Sequence, residues 1–317
     1  MKANCIIQGD AKKVLAGLPA QSMDMCITSP PYWGLRDYGV KGQLGMEPTF
    51  SSYIKNLCDV FDEVKRVLRD DGTCWVNLGD TYYGGGGGNQ YSPNNKGFQS
   101  KSFKTNPKYE KSCGFGYGYR KKAREVPDKS LCLVPFRFAI EMVNRGWILR
   151  NVIIWRKPNC MPSSVKDRFT VDFEYLFFFS KSKKYYFEQQ REPHKNESIA
   201  RTSYGWNGHR EPMSSYQGMD IKKMCHPDGR NMRCVWSVPT KGLRSAHFAV
   251  FPTKLIERPI SACCPIKGII LDPFIGSGTT ALEAVKQDKN FVGIELNRNY
   301  IQIAERRIRK FVENGKY

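Results

Sequence analysis

Thr28-Ser29-Pro30-Pro31-Tyr32-Trp33 puts hydroxyls, bare carbonyls and aromatic faces into six consecutive residues. The run before it, Asp24-Met25-Cys26-Ile27-Thr28, is apolar enough for a buried strand of a parallel sheet. Neither Pro30 nor Pro31 has an N–H, so the ladder stops there. Ligands of open α/β sheets bind at such carboxyl ends. A hydroxyl, an unpaired carbonyl and an aromatic face within four residues suit a flat base that carries an exocyclic amino group.

A second constellation lies near the other end of the chain. Ile269-Ile270-Leu271-Asp272-Pro273-Phe274-Ile275-Gly276-Ser277-Gly278-Thr279-Thr280 reads as strand, glycine turn and helix start. The next strand, Phe291 to Glu295, ends in a carboxylate 19 residues past Gly276. That spacing follows the logic of a Rossmann nucleoside site, where an acidic residue about 20 residues on bonds the ribose. Asp272 at the strand tip would repel a pyrophosphate and suits a cation. The pattern therefore favours S-adenosylmethionine, which has an ammonium, a sulfonium and no phosphate, over a dinucleotide.

Both motifs resemble those of the S-adenosylmethionine-dependent DNA amino-methyltransferases, which methylate cytosine N4 or adenine N6. Ser29-Pro30-Pro31-Tyr32 is similar to the family's catalytic motif, and Asp272 to Thr279 to its cofactor loop. The catalytic motif comes first, which is the permuted order of the beta group. The resemblance spans about residues 4–82, 131–188 and 245–313. It implies an α/β, Rossmann-like methyltransferase fold with a mostly parallel central sheet. It also implies a catalytic domain of residues 1–83, 125–188 and 243–317. Asp10, Thr28, Phe251, Lys254, Asp272, Pro273, Phe274, Gly276, Ser277, Gly278, Thr279 and Glu295 are the cofactor-binding residues it suggests, with Ile294 as a further wall. For Asp10 a turn or helix cap is the lesser alternative, and Phe251 and Phe274 read equally as core.

By the same resemblance, the target base is flipped out of the duplex. Tyr32 stacks on it, and the Pro30 carbonyl and Ser29 hydroxyl accept hydrogen bonds from the amino group. Those bonds free the nitrogen lone pair to attack the sulfonium methyl. Family members with Ser at the first motif position are mostly N4-cytosine enzymes, so cytosine N4 is favoured over adenine N6. Methylation of an RNA base or a protein amide, and a non-catalytic DNA-binding role, are the competing readings.

Composition points the same way. The net charge of +20 predicts a polyanion partner, which the resemblance implies is duplex DNA. Residues 84–124 form a basic, Gly-rich insertion with interleaved aromatics, able to grip backbone and stack on bases. Residues 189–242 are again polar and basic and read as a target-recognition region. A homodimer and a cognate restriction enzyme are possible partners. The 11 cysteines form no C-x-x-C and read as reduced thiols. His194, His209, Cys225, His226 and Cys234 fit no standard zinc-finger spacing, so no metal is expected. No stretch approaches the ~20 apolar residues of a membrane span, and no signal-peptide pattern opens the chain. A cytoplasmic protein is the expectation.

Other elements must position these motifs. Strands are predicted at Ile6–Asp10, Cys74–Leu78, Trp147–Trp155 and Glu174–Phe179. Helices are predicted from Ala11 to Leu18, from a Ser51 or Ser52 cap to Gly72, and from Leu131 to Asn144. Arg298 to Val312 reads as an amphipathic helix with a solvated basic face.

Overall fold

A computed structural model describes residues 3–35, 37–84, 125–197, 226–240 and 251–313. The 84–124 insertion past Gly84, residues 198–225 and residues 241–250 lie outside these, with His209, Cys225 and the approach to Phe251. Strands are β1 (Cys5–Gln8), β2 (Met23–Thr28), β3 (Leu68–Leu78), β4 (Ile148–Arg156), β5 (Phe173–Ser180), β6 (Arg191–Glu192), β7 (Arg230–Asn231), β8 (Val235–Ser237), β9 (Ile269–Asp272) and β10 (Asn290–Glu295). Helices are α1 (Ala11–Ala16), α2 (Phe50–Val67), α3 (Val134–Asn144), α4 (Thr253–Cys263), α5 (Thr279–Lys286) and α6 (Arg298–Glu313).

Among the described residues the central sheet has eight strands in the order β1-β10-β9-β2-β3-β5-β4-β8. Only β5 runs against the others; β1, β10, β9, β2 and β3 pair in parallel. This is the mostly parallel α/β sheet that the sequence predicts. The carboxyl ends of the parallel strands and the amino end of reversed β5 therefore share one edge. The register fixes the neighbours: Gln8 faces Glu295, Gly293 faces Asp272, and Asn77 faces Leu176.

Burial explains the composition of the strands. Residues 25–28 of β2 and 73–78 of β3 are all buried, as near-continuous apolar strands of a parallel sheet should be. One side packs under α2, whose Tyr53, Leu57, Val60, Phe61 and Val64 are buried and recur at helical spacing. The opposite layer holds Leu255, Ile256 and Ile260 of α4 and Ala281 and Ala284 of α5. Trp75 of β3 stacks on Phe178 of β5 with ring centroids 4.2 Å apart.

Several boundaries differ from the prediction. Helix α2 is capped by Thr49, whose hydroxyl accepts from Ser52 N at 3.1 Å, and not by Ser51 or Ser52. The Glu125 carboxylate adds bonds to Phe50 N and Ser51 N at 2.7 and 3.2 Å. Gly72 does not end the helix. Leu68 turns straight into β3 and pairs with Met23 across a register shift. Gly72 sits inside that irregular strand, where a Cβ would lie 3.1 Å from the Asp24 carbonyl. β8, within the 189–242 region, joins the central sheet beside β4. Helix α4 is not among the elements predicted from sequence, because Pro259 lies inside it. Among the described residues no helix is long and apolar enough to cross a membrane.

Candidate active site

Both motifs open onto one cleft of about 400 Å³ at the carboxyl edge of the sheet. Ser29, Pro30, Pro31 and Tyr32 line it from the end of β2. Asp272, Pro273, Phe274, Gly276, Ser277 and Thr279 line it from the end of β9. Asp10, Phe251, Ile294 and Glu295 complete the walls. Segments some 240 residues apart in sequence thus share one cavity because β2 and β9 are hydrogen-bonded neighbours.

Asp272 holds the two motifs together. Its carboxylate is 2% exposed and accepts from Thr28 Oγ1 and Thr280 Oγ1, each at 2.6 Å, and from Phe274 N at 3.0 Å. Burial pushes its pKa up to about 6, and those three bonds work against the shift. Thr28 therefore acts behind the cleft wall, through Asp272. Glu295 accepts from Gly276 N at 3.0 Å and Asn297 N at 2.8 Å. Burial raises its pKa as well.

Gly278 also works from behind. It caps α5 at φ 84°, and a Cβ there would lie 2.8 Å from Ala304 Cβ. Gly276 is different: with φ 50°, a Cβ on it would meet nothing before Phe274 O at 3.9 Å, so its backbone lies open. Asp10 does both things the sequence allows. It lines the cleft, and its Oδ1 caps α1 by accepting from Lys13 N at 3.0 Å. Lys254 does not join the site. It is not among the cleft-lining residues, its side chain is 66% exposed, and it pairs with Glu257 at 2.9 Å.

On the catalytic-motif side, Tyr53 Oη donates to the Pro31 carbonyl at 2.8 Å. Among the described residues no hydrogen bond reaches the Pro30 carbonyl, which leaves it open to an incoming donor. Trp33 is core, 2% exposed, with Nε1 donating to Glu47 O at 2.9 Å and its ring edge-on to Phe50.

A family model described as DNA methylase, N6_N4_Mtase, matches residues 23–306. The chain belongs to this DNA methylase family. The type II methyltransferase M.SmaI of Serratia marcescens is 41% identical over 304 residues, covering 96% of this chain and 90% of that one. M.Cfr9I of Citrobacter freundii is 40% identical, covering 96% and 87%. Among solved structures, the cytosine-N4-specific PvuII DNA methyltransferase shares the fold with a TM-score of 0.62 at 17% identity, covering 99% of this chain and 91% of that one. The protein TTHA0409 of Thermus thermophilus, complexed with S-adenosyl-L-methionine, superposes with a TM-score of 0.58 at 22% identity over 97% of this chain and 93% of that one.

The DNA methylase also has site residues that sequence reading missed. Tyr32 Oη donates to Glu174 Oε2 at 2.7 Å and lies 3.2 Å from Asn77 Oδ1. Asn77 Nδ2 donates to the same Glu174 oxygen at 3.1 Å, and Lys157 Nζ bonds the other. Burial and the Glu174 charge push the Tyr32 phenol well above its ordinary value, so it stays protonated and donates. All four line the cleft. Only the reversal of β5 brings the start of that strand to this edge, and no local motif announces it. Arg307 is a further departure from the sequence expectation of a solvated face. It turns inward to donate to Ser277 O and, at 2.8 Å, to Ser277 Oγ. Of the five zinc candidates, His194 Nε2 lies 3.0 Å from the His226 carbonyl. Among the described residues no three His, Cys, Asp or Glu side chains gather as a metal site.

Proposed function

We propose that this protein transfers the methyl group of S-adenosylmethionine to cytosine N4 in duplex DNA, as the modifying partner of a restriction enzyme. The shared cleft of the two motifs carries the reading. Its β9–β10 half fits the donor. Open backbone at Gly276 can take a close ligand, the Glu295 carboxylate ends β10 and that of Asp10 follows the neighbouring β1, and Phe274, Ile294 and Phe251 supply apolar walls. Bound there, the donor supplies an electrophilic sulfonium methyl.

The chain's own residues act on the base. The amino lone pair of cytosine is delocalised into the ring and must be freed. The Pro30 carbonyl and Ser29 hydroxyl accept hydrogen bonds from the amino group and draw the nitrogen toward tetrahedral geometry. As the N–CH3 bond forms and the S–CH3 bond breaks, sulfur leaves as the neutral thioether and one amino proton is released to solvent. Tyr32 offers its ring, held from behind by Glu174 and Asn77. A rate gain from positioning and preset dipoles needs no covalent intermediate. Apolar walls and the bulk of the flipped base exclude water from the methyl path. Ser29 at the first motif position favours cytosine; an adenine N6 enzyme is the alternative.

Incubating unmethylated plasmid DNA with the protein and isotope-labelled donor, then analysing nucleosides by mass spectrometry, tests both points. Labelled N4-methylcytosine is expected. Labelled N6-methyladenine would replace the base assignment, and no labelled nucleoside would refute the activity.

A further inference from the structure

The loop between β4 and β5, residues 157–172, leaves the sheet at the edge where the cleft opens. Its roots are tied: Lys157 N donates to Asp172 O at 2.7 Å, and Arg156 Nε lies 3.7 Å from the Asp172 carboxylate. It is also anchored along its length. Asn159 exchanges bonds with the Thr240 backbone at 2.8 and 3.0 Å, and Thr240 itself lines the cleft. Lys129 pairs with Asp167 at 2.8 Å, and the Arg168 guanidinium sits 3.5 Å over the Tyr82 ring centre.

Between and beside these anchors the loop displays apolar side chains to solvent. Phe169 is 96% exposed and Met161 88%. Single exposed hydrophobes need no explanation. A phenyl ring held out by pinned neighbours, on a loop that begins at Lys157 and returns to Glu174, both of which line the cleft, does need one. Lys166 and Arg168 put positive charge on the same loop, in a chain of net charge +20, which matches a phosphate backbone.

Given the function proposed above, we infer that Phe169 is the side chain that enters the DNA base stack when the target base leaves it. A flipped base leaves a hole, and apolar wedges fill such gaps between base steps. A ring stacks on either neighbour whatever its identity.

The test uses a duplex carrying the protein's own target, mapped by sequencing plasmid DNA that the wild type has methylated. Phe169→Ala should slow single-turnover methylation of this duplex about 10- to 100-fold, the span expected for one lost base–aromatic contact. Phe169→Trp should keep the wild-type rate within about threefold, because it still stacks. A duplex with an abasic nucleotide opposite the target needs no unpairing, so Phe169→Ala should recover on it to within about threefold of wild type. A variant as fast as wild type on the intact duplex, or equally slow on both, overturns the inference. So does a variant with a lowered melting temperature, which a 96% exposed side chain should not cause. Fluorescence anisotropy gives an arm free of methyl transfer. Wild type should bind an abasic duplex more tightly than an intact one, and Phe169→Ala should show a larger preference, because it lacks the ring that offsets the cost of unpairing; an unchanged preference overturns the inference. If wild type methylates no DNA, the proposed function fails and the inference with it; if wild type methylates DNA and Phe169→Ala matches it in rate and in abasic preference, only the wedge fails.

Discussion

Tyr32 and Glu174 stand 142 residues apart in sequence, and the phenol hydrogen bonds the carboxylate across 2.7 Å. One residue follows a parallel strand and the other opens the reversed one. The carboxylate is itself held by Asn77 Nδ2 and the Lys157 ammonium. A hydrogen bond to a charged partner is worth about 1.5–3 kcal/mol. Tyr32 is thereby given one orientation before any base arrives.

Replacing that carboxylate should therefore damage chemistry and spare the donor. Glu174→Gln keeps the shape but leaves the Lys157 charge without its partner. Turnover on DNA should fall about 10- to 100-fold, following the bond energy above, with S-adenosylmethionine affinity unchanged by calorimetry. Equal loss of donor binding would mean that Glu174 supports the whole cleft and not Tyr32.

Gly79 tests the same ring from the other side. A Cβ at this position would lie 2.9 Å from Tyr32 Cε2 and 3.4 Å from Glu174 Cγ and Cδ. Neither neighbour can retreat without breaking their bond. Gly79→Ala should cut turnover at least about tenfold, the effect of misplacing a positioned group, while donor affinity holds. Wild-type turnover in this variant would show that the ring tolerates displacement.

Ser29→Ala and Tyr32→Ala probe the base directly. Ser29→Ala should lower turnover about 10²-fold, the usual cost of one preorganised hydrogen-bonding group, and Tyr32→Ala about 10- to 100-fold, the cost of one lost base–aromatic stack. Ser29→Ala leaves the open Pro30 carbonyl as sole acceptor, so a residual rate is expected. Full activity in either variant on duplex DNA would remove that residue from the mechanism.

How far the sequence could be read depended on whether a feature was local. Asp272 to Thr279 and Ser29 to Tyr32 are contiguous runs whose chemistry shows in their order. The parallel strands that carry them announce themselves as apolar runs. Asn77 lies at the end of β3 and Lys157 follows β4, both in ordinary strand contexts, and Glu174 meets Tyr32 only because β5 is reversed. Arg307 belongs to a basic helical face, and its inward turn depends on how α6 lies over the cofactor loop. Gly72 misled for a related reason. Glycine after a helix suggests a cap, but here it permits a close strand contact with the Asp24 carbonyl.

Asp272 gives a pH signature of unusual sign for a carboxylate. Burial lifts it from 3.8 to about 6. Between these values the folded protein holds a proton that the unfolded chain has lost. The group's contribution is full below about pH 4 and declines as pH rises to about 6, by on the order of 3 kcal/mol. Asp272→Asn cannot ionise, so its stability relative to wild type should rise across that window and level off above it. Urea unfolding of both proteins from pH 4 to 8 measures this. A constant difference would show that Asp272 does not titrate there.

Arg307 and Lys254 make opposite predictions about the cofactor loop. Arg307 donates to both the carbonyl and the hydroxyl of Ser277 from half-buried surroundings, where lost solvation lowers its pKa. Ser277 is 4% exposed and lines the cleft. Arg307→Gln shortens the reach and removes the charge, so Ser277 loses its outer anchor. Two charge-assisted bonds outweigh one surface ion pair, whose contribution is about 0–1 kcal/mol. Donor affinity should weaken about tenfold in Arg307→Gln, which corresponds to about 1.4 kcal/mol. Lys254→Ala should leave it unchanged, since that ammonium faces Glu257 and solvent. Calorimetry on the two variants decides between a loop braced from α6 and one that holds its shape alone. Weakened binding in Lys254→Ala would restore the role its sequence position suggests.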